Sequence, residues 1–198
     1  MKSKLVAFGF LLGFSSAVAC SPAHAVEMVG FAGYASSLYA SKPTGVSNTS
    51  GGIGYGFLTR FDLGAGMIEG GFLYTPTSMT WSVGGNDVKA SGSYWILPIQ
   101  YHLPIYLPYL SISIGPDFAI MGNTSYSYPG STLPSAEKFK SHFGAQVSVQ
   151  ASQDLGENLS AVIDLRYREG IGSAFTINNQ STRLNFFMTS FGIQKRLE

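Results

Sequence analysis

The sequence predicts an all-β protein, an eight-stranded antiparallel transmembrane β-barrel. Three observations carry this expectation. Long segments alternate in period two, the N-terminus reads as a secretory signal, and charged residues make up only 12% of the chain, against roughly a quarter in a soluble domain. The alternation is clearest at Phe143, Ala145, Val147, Val149 and Ala151, which interleave with Gly144, Gln146, Ser148 and Gln150. It returns at Leu159, Ala161, Ile163, Leu165 and Tyr167, between Ser160, Val162, Asp164 and Arg166. Such alternation puts one oily and one polar face on a strand. Repeated between polar breaks and behind a secretory signal, it suggests a closed barrel in lipid.

Lys2 and Lys4 precede an apolar run over residues 5–14 and then small residues. This is the layout of a signal peptide, too short to span a bilayer. Ala23-His24-Ala25 is an A-x-A site, which divides the chain into a signal at 1–25 and a barrel domain at 26–198. Ala17-Val18-Ala19-Cys20 is the competing reading, a lipoprotein box that would lipidate Cys20. Cleavage after Ala25 removes the one cysteine, so the mature chain needs no disulfide. The 198 residues suit a single domain. A net charge of +1 offers no basic footprint for nucleic acid. Mean hydropathy is +0.15, low for a helical membrane protein but compatible with a barrel whose lumen is polar.

Eight strand candidates follow the signal, at residues 27–39, 51–63, 67–81, 89–103, 109–121, 142–153, 159–170 and 182–197. The first has the least clean pattern. Most exceed the ~9–11 residues that a tilted strand needs to cross the hydrocarbon. The connections alternate in length. Those at 64–66, 104–108 and 155–158 are short, and those at 41–50, 82–88, 123–141 and 173–181 are longer and polar. An outer-membrane barrel with both termini in the periplasm requires this order, with long loops outside and short turns inside.

Periodicity does not say which face points inward, but side-chain size and charge do. The polar face carries Arg60, Asp62, Glu69, Asp117, Asp164, Arg166, Arg168 and Arg196. The other face carries Trp95, Tyr101, Phe143, Tyr167 and Phe191, several near strand ends. Eight strands leave room inside for packed side chains or one small ligand. So many aromatics would overfill that lumen, whereas facing lipid they form girdles.

Residues 94–101, Tyr-Trp-Ile-Leu-Pro-Ile-Gln-Tyr, followed by residues 108–116, Pro-Tyr-Leu-Ser-Ile-Ser-Ile-Gly-Pro, resemble a hairpin of small bacterial outer-membrane β-barrel proteins. Ser190-Phe191-Gly192-Ile193-Gln194-Lys195-Arg196-Leu197 resembles the closing strand of the outer-membrane-protein-A-like barrels. In that family an apolar-Gly-apolar-x-aromatic-Arg-Phe pattern is read by the barrel-assembly machinery. This chain departs from it, with Lys195 in place of the aromatic and Leu197 in place of the final Phe. The resemblance implies a fold, the cell outer membrane as location, and outer-membrane lipid and the assembly machinery as partners. It implies little about function, because the family is functionally mixed.

Arg60 and Glu69 flank the 64–66 turn almost symmetrically, so the hairpin should set them opposite each other inside. The eight charges read as a lumen network of four acids and four arginines. Depth in the membrane demands that they be paired. A gate or narrow ion path is the functional alternative. His102 and His142 lack the His-x-Ser arrangement of lipid A-modifying hydrolases, and His142 is followed by Phe143-Gly144. We read both as strand-end histidines and expect no enzyme activity and no catalytic residue. No metal-ligand spacing, phosphate loop or cofactor motif appears, and Gly51 to Gly56 read as small lumen-facing residues. The loop between Asn123 and Ser141 is the best candidate for contact with an unknown surface ligand. The expected role is structural or surface-interacting, with a porin-like narrow channel for small or hydrophobic solutes as the alternative.

Overall fold

The computed structural model describes residues 26–40, 46–64, 66–83, 85–105, 107, 109–127, 139–177 and 180–197. The signal segment, with both cleavage readings, and the middle of the 123–141 loop lie outside the described residues. The strands are β1 (Val26–Tyr39), β2 (Val46–Ser50), β3 (Gly52–Asp62), β4 (Met67–Val83), β5 (Asn86–Pro104), β6 (Leu110–Ser127), β7 (His142–Gly156), β8 (Leu159–Gly170), β9 (Phe175–Ile177), β10 (Gln180–Thr182) and β11 (Leu184–Leu197). Eight of them, β1, β3, β4, β5, β6, β7, β8 and β11, form one cylinder of antiparallel neighbours, closed by the β1–β11 and β4–β5 pairings. Closure leaves no strand edge in the hydrocarbon, where an unpaired N–H or C=O costs several kcal/mol. Val26 pairs with Leu197, so both ends of the barrel domain sit at one rim.

Local chemistry makes the turns at that rim. Leu63 donates to the Gly66 carbonyl at 2.8 Å, and Gly64, at φ +86°, donates its N–H to Asp62 Oδ1 at 2.7 Å. The β7–β8 turn has Asn158 at φ +59°, a left-handed position that Asn tolerates. At the opposite, loop end the structure differs from the sequence expectation. The polar stretch at 82–88 is no long loop: β4 and β5 pair up to Val83–Asn86 and turn at Gly85, φ +81°. Residues 46–50 form β2 along the upper half of β4. Residues 173–181 carry the β9–β10 hairpin, and β6 runs on to Ser127. The cylinder wall thus continues past the ~9–11 residues that a strand needs to cross the hydrocarbon. Polar outward residues such as Ser82 and Asp87 made this stretch look like loop, while Val88 within it and Met79, Trp81 and Ala90 beside it face inward and are buried.

The faces are assigned by burial. Along β7, Gly144, Gln146, Ser148 and Gln150 point inward and Phe143, Val147 and Val149 outward. Ile53 is 76% exposed, Phe143 67% and Phe191 64%. A continuous apolar exterior of this kind needs a lipid partner. On it, Tyr55, Tyr74 and Trp95 form one ring cluster, with centroids 4.9 Å and 5.1 Å apart along the series. The lumen has two parts. The terminal half holds the charged side chains, with Val29, Leu58 and Val162 also buried there. The loop half is an apolar core built on Trp81, Phe139, Phe175, Tyr94 and Phe186, which corrects the expectation of a polar lumen throughout.

Leu165 faces outward on the middle of β8 and is 44% exposed. Leu165→Arg should cost about 2–4 kcal/mol of insertion stability, as a cation at the bilayer midplane has neither water nor partner. Folding titrations in lipid vesicles measure this. An unchanged stability would contradict the outward assignment.

Candidate functional site: the lumen ion-pair ladder

The hairpin around residues 63–66 sets Arg60 on β3 in register with Glu69 on β4. Both positions alternate inward, and both side chains are buried. Arg60 Nε donates to Glu69 Oε2 at 2.8 Å. Arg166 Nη2, from the far wall on β8, reaches Glu69 Oε1 at 3.3 Å. Each oxygen of this carboxylate, which is 0% exposed, therefore holds its own guanidinium. Arg166 also clasps Asp164, Nε to Oδ1 and Nη2 to Oδ2, both at 3.2 Å. Charge-assisted bonds of this kind are the strong ones, and paired charges survive burial.

The ladder extends both ways. Toward the terminal rim, Arg60 Nη1 lies 3.6 Å from Glu27 Oε2, and Arg196 Nη2 donates to Glu27 Oε1 at 2.8 Å. Toward the loop end, Arg168 Nε donates to Asp117 Oδ1 at 2.7 Å. Four glutamines satisfy what the acids leave over. Arg166 Nη1 donates to Gln100 Oε1 and Gln146 Oε1, Arg60 Nη2 to Gln150 Oε1, and Arg60 Nη1 to Gln194 Oε1. Gln150 Nε2 closes the set on Gln194 Oε1 at 3.0 Å. Two aromatic rings brace the arginines: Phe31 lies 5.9 Å from the Arg166 guanidinium and Phe186 5.7 Å from that of Arg168. Four cations (Arg60, Arg166, Arg168, Arg196) meet four anions (Glu27, Glu69, Asp117, Asp164), so the ladder is neutral.

The structure places six of the eight charges named from the sequence deep inside: Arg60, Glu69, Asp117, Asp164, Arg166 and Arg168. Arg196 stands at the rim with its side chain 53% exposed. Asp62 is half-buried and caps its own turn. Glu27 and the four glutamines were missed. Glu27 lies on β1, whose inward face goes on to Val29, Phe31 and Ala35, so that no clean polar face marks it. The glutamines did stand on polar faces, but residues without charge carried no flag.

Both histidines face the lumen. His102 Nδ1 lies 2.8 Å from Ser113 Oγ and 3.9 Å from Glu69 Oε2. Serine and acid thus meet the same ring nitrogen. A proton relay needs them on opposite nitrogens. His142 Nε2 lies 2.9 Å from Arg168 Nη1, and its Nδ1 lies 3.0 Å from the Lys140 carbonyl oxygen. Among the described residues no group of three or more His, Cys, Asp and Glu is arranged to hold a metal.

No family model matches the chain, and no curated protein matches it. Among solved structures it is similar to Neisserial surface protein A, at 14% identity over 87% of this chain and 99% of that one, with a TM-score of 0.50. It is also similar to the outer membrane protein OprG of Pseudomonas aeruginosa, at 12% identity, 88% and 96% coverage and a TM-score of 0.47. A third likeness is to Ail, the attachment invasion locus protein of Yersinia pestis, at 15% identity, 86% and 97% coverage and 0.43. These likenesses concern the fold. The closed barrel and its apolar exterior, with the likeness to Neisserial surface protein A, define the class: the chain is an integral outer-membrane protein, a closed eight-stranded β-barrel.

Arg60→Ala would leave Glu69 with Arg166 as its one arginine and Glu27 with Arg196 as its one arginine. Removing one partner from a buried pair costs about 3–5 kcal/mol. Replacing Arg60 and Glu69 together by leucine should cost less than Arg60→Ala, because Arg166 keeps Asp164. Urea unfolding in vesicles compares the two, and equal losses would contradict the pairing.

Proposed function

We propose that this protein is a structural, surface-presenting barrel with a closed lumen, and neither a channel nor an enzyme. One observation supports this above all: two fillings stand in series along the axis. The ion-pair ladder occupies the terminal half, and the Trp81–Phe139–Phe175 core occupies the loop half. A solute would have to displace both. What remains to act on the surroundings is the loop end, where β4, β5 and β6 extend past the hydrocarbon and the 123–141 loop begins. That loop is our candidate for contact with a surface ligand. Against enzyme activity stands the His102–Ser113 pair, which is buried and has its acid on the wrong nitrogen.

A narrow path for small solutes is the second reading. Asp117 Oδ2, Gln146 Nε2 and Ser148 Oγ are buried without a hydrogen-bond partner on β6 and β7. Such atoms mark places where water can enter. The two readings part in planar lipid bilayers. The closed-lumen reading expects no discrete current steps from the purified protein at neutral pH. Reproducible steps would replace it with the channel reading.

A further inference from the structure

His142 connects the two halves of the lumen. It is the first residue of β7 and is buried. Below it, Arg168 Nη1 lies 2.9 Å from Nε2, and Arg168 Nη2 donates to the His142 carbonyl at 3.4 Å. An arginine has only N–H donors and does not lose its proton. Nε2 must therefore accept, and the ring proton sits on Nδ1, donated to the Lys140 carbonyl. The contact defines the neutral imidazole in one tautomer. Above it, the Lys140 amide donates to the Ala174 carbonyl at 2.8 Å, next to Phe175. Phe139 packs on Phe175 with ring centroids 4.8 Å apart, and Phe175 packs on Trp81 at 5.6 Å. The plug is thus tied to the barrel wall through the backbone that His142 holds.

The charges facing His142 come from the surrounding elements. Arg168 on β8 touches it directly. Asp117 on β6 is engaged with Arg168. Tyr94 on β5 lies edge-on at 5.1 Å. Phe186 on β11 covers Arg168, and the Lys140 ammonium is turned away to Thr176 Oγ1. A second ring proton would point Nε2–H at a guanidinium N–H, losing a hydrogen bond and setting two cations in contact. Arg168 is pinned between Asp117 and Phe186 in the wall, whereas His142 stands where β7 meets its loop.

We propose that protonation of His142 is an acid switch that unseats the aromatic plug of Phe139 and Phe175 at the loop end of the barrel. It adds a regulated state to the structural role, and its test reads the plug itself, so that it can fail while the closed-lumen reading stands.

The chain has two tryptophans, and Trp95 lies on the lipid face. Trp95→Phe leaves Trp81, which is 1% exposed in the plug, as the single reporter. In lipid vesicles, acrylamide quenching of Trp81 should be weak at about pH 7.5 and rise severalfold by about pH 3.5, reversibly, because the adjacent Arg168 disfavours a charged imidazole. His142→Gln and His142→Asn, which hydrogen-bond without titrating in this range, should abolish the rise. His102→Gln should keep it. Folding of each variant is read by heat-modifiable gel migration. A Trp81 that stays protected at acid pH in the histidine-bearing protein overturns the proposal whatever the variants do. A full acid response in either folded His142 variant, or its loss in His102→Gln, overturns it as well.

Discussion

The buried carboxylate of Glu69 is the point on which the lumen depends. It is shut off from solvent, and two guanidiniums replace its hydration, one on each oxygen. The idealised cost of taking an ion of this size out of water is on the order of 20 kcal/mol, and only close pairing with further hydrogen bonds offsets it. That requirement explains several features at once. The tight 63–66 turn brings Arg60 into register with Glu69. β8 presents Asp164, Arg166 and Arg168 on its inward positions. Glutamines line the facing walls because each offers an acceptor to a guanidinium that still has donors to spare.

Size complementarity matters as much as charge. A narrow cylinder holds long side chains only where facing positions are small. A Cβ on Gly144 would stand 2.5 Å from Arg168 Nη2, and one on Gly56 would stand 2.8 Å from Leu73 Cδ2 and 2.9 Å from Phe31 Cζ. Glycine in these strands gives up β propensity for interior volume. In the loop half the same volume is filled by rings. There the barrel resembles the core of a soluble protein, with Tyr94 edge-on to Phe139 and Phe186. Polar ladder and apolar core meet at His142, which touches Arg168 and Tyr94 together.

Alternation made the fold legible wherever the two faces differ in chemistry. On β7 and β8, polar and apolar positions separate cleanly, and the expected faces match the burial pattern. The Arg60–Glu69 contact was legible for the same reason, since turn symmetry and alternation together place both residues. The signal weakens where the inner face is also apolar. On β1, Val29 and Phe31 point inward while Met28 and Tyr34 point outward, so hydrophobicity carries no period. The tops of β4 and β5 failed in the opposite way. Between the expected strand ends at 81 and 89 the polar outer Ser82 and Asp87 looked like loop, and the inward Val88 was the sign that the wall continues. The histidines could not be placed from sequence, because their partners lie on other strands or in the polypeptide backbone.

Paired charges seal the terminal half of the barrel from water. Side-chain hydrogen exchange tests this most directly. In the folded protein in lipid nanodiscs, the Nε–H protons of Arg60, Arg166 and Arg168 should be visible and exchange slowly. Arg196, with its side chain 53% exposed at the rim, should exchange fast and serve as the internal reference. Exchange of all four at the rate of Arg196 would mean a hydrated lumen and would contradict the account.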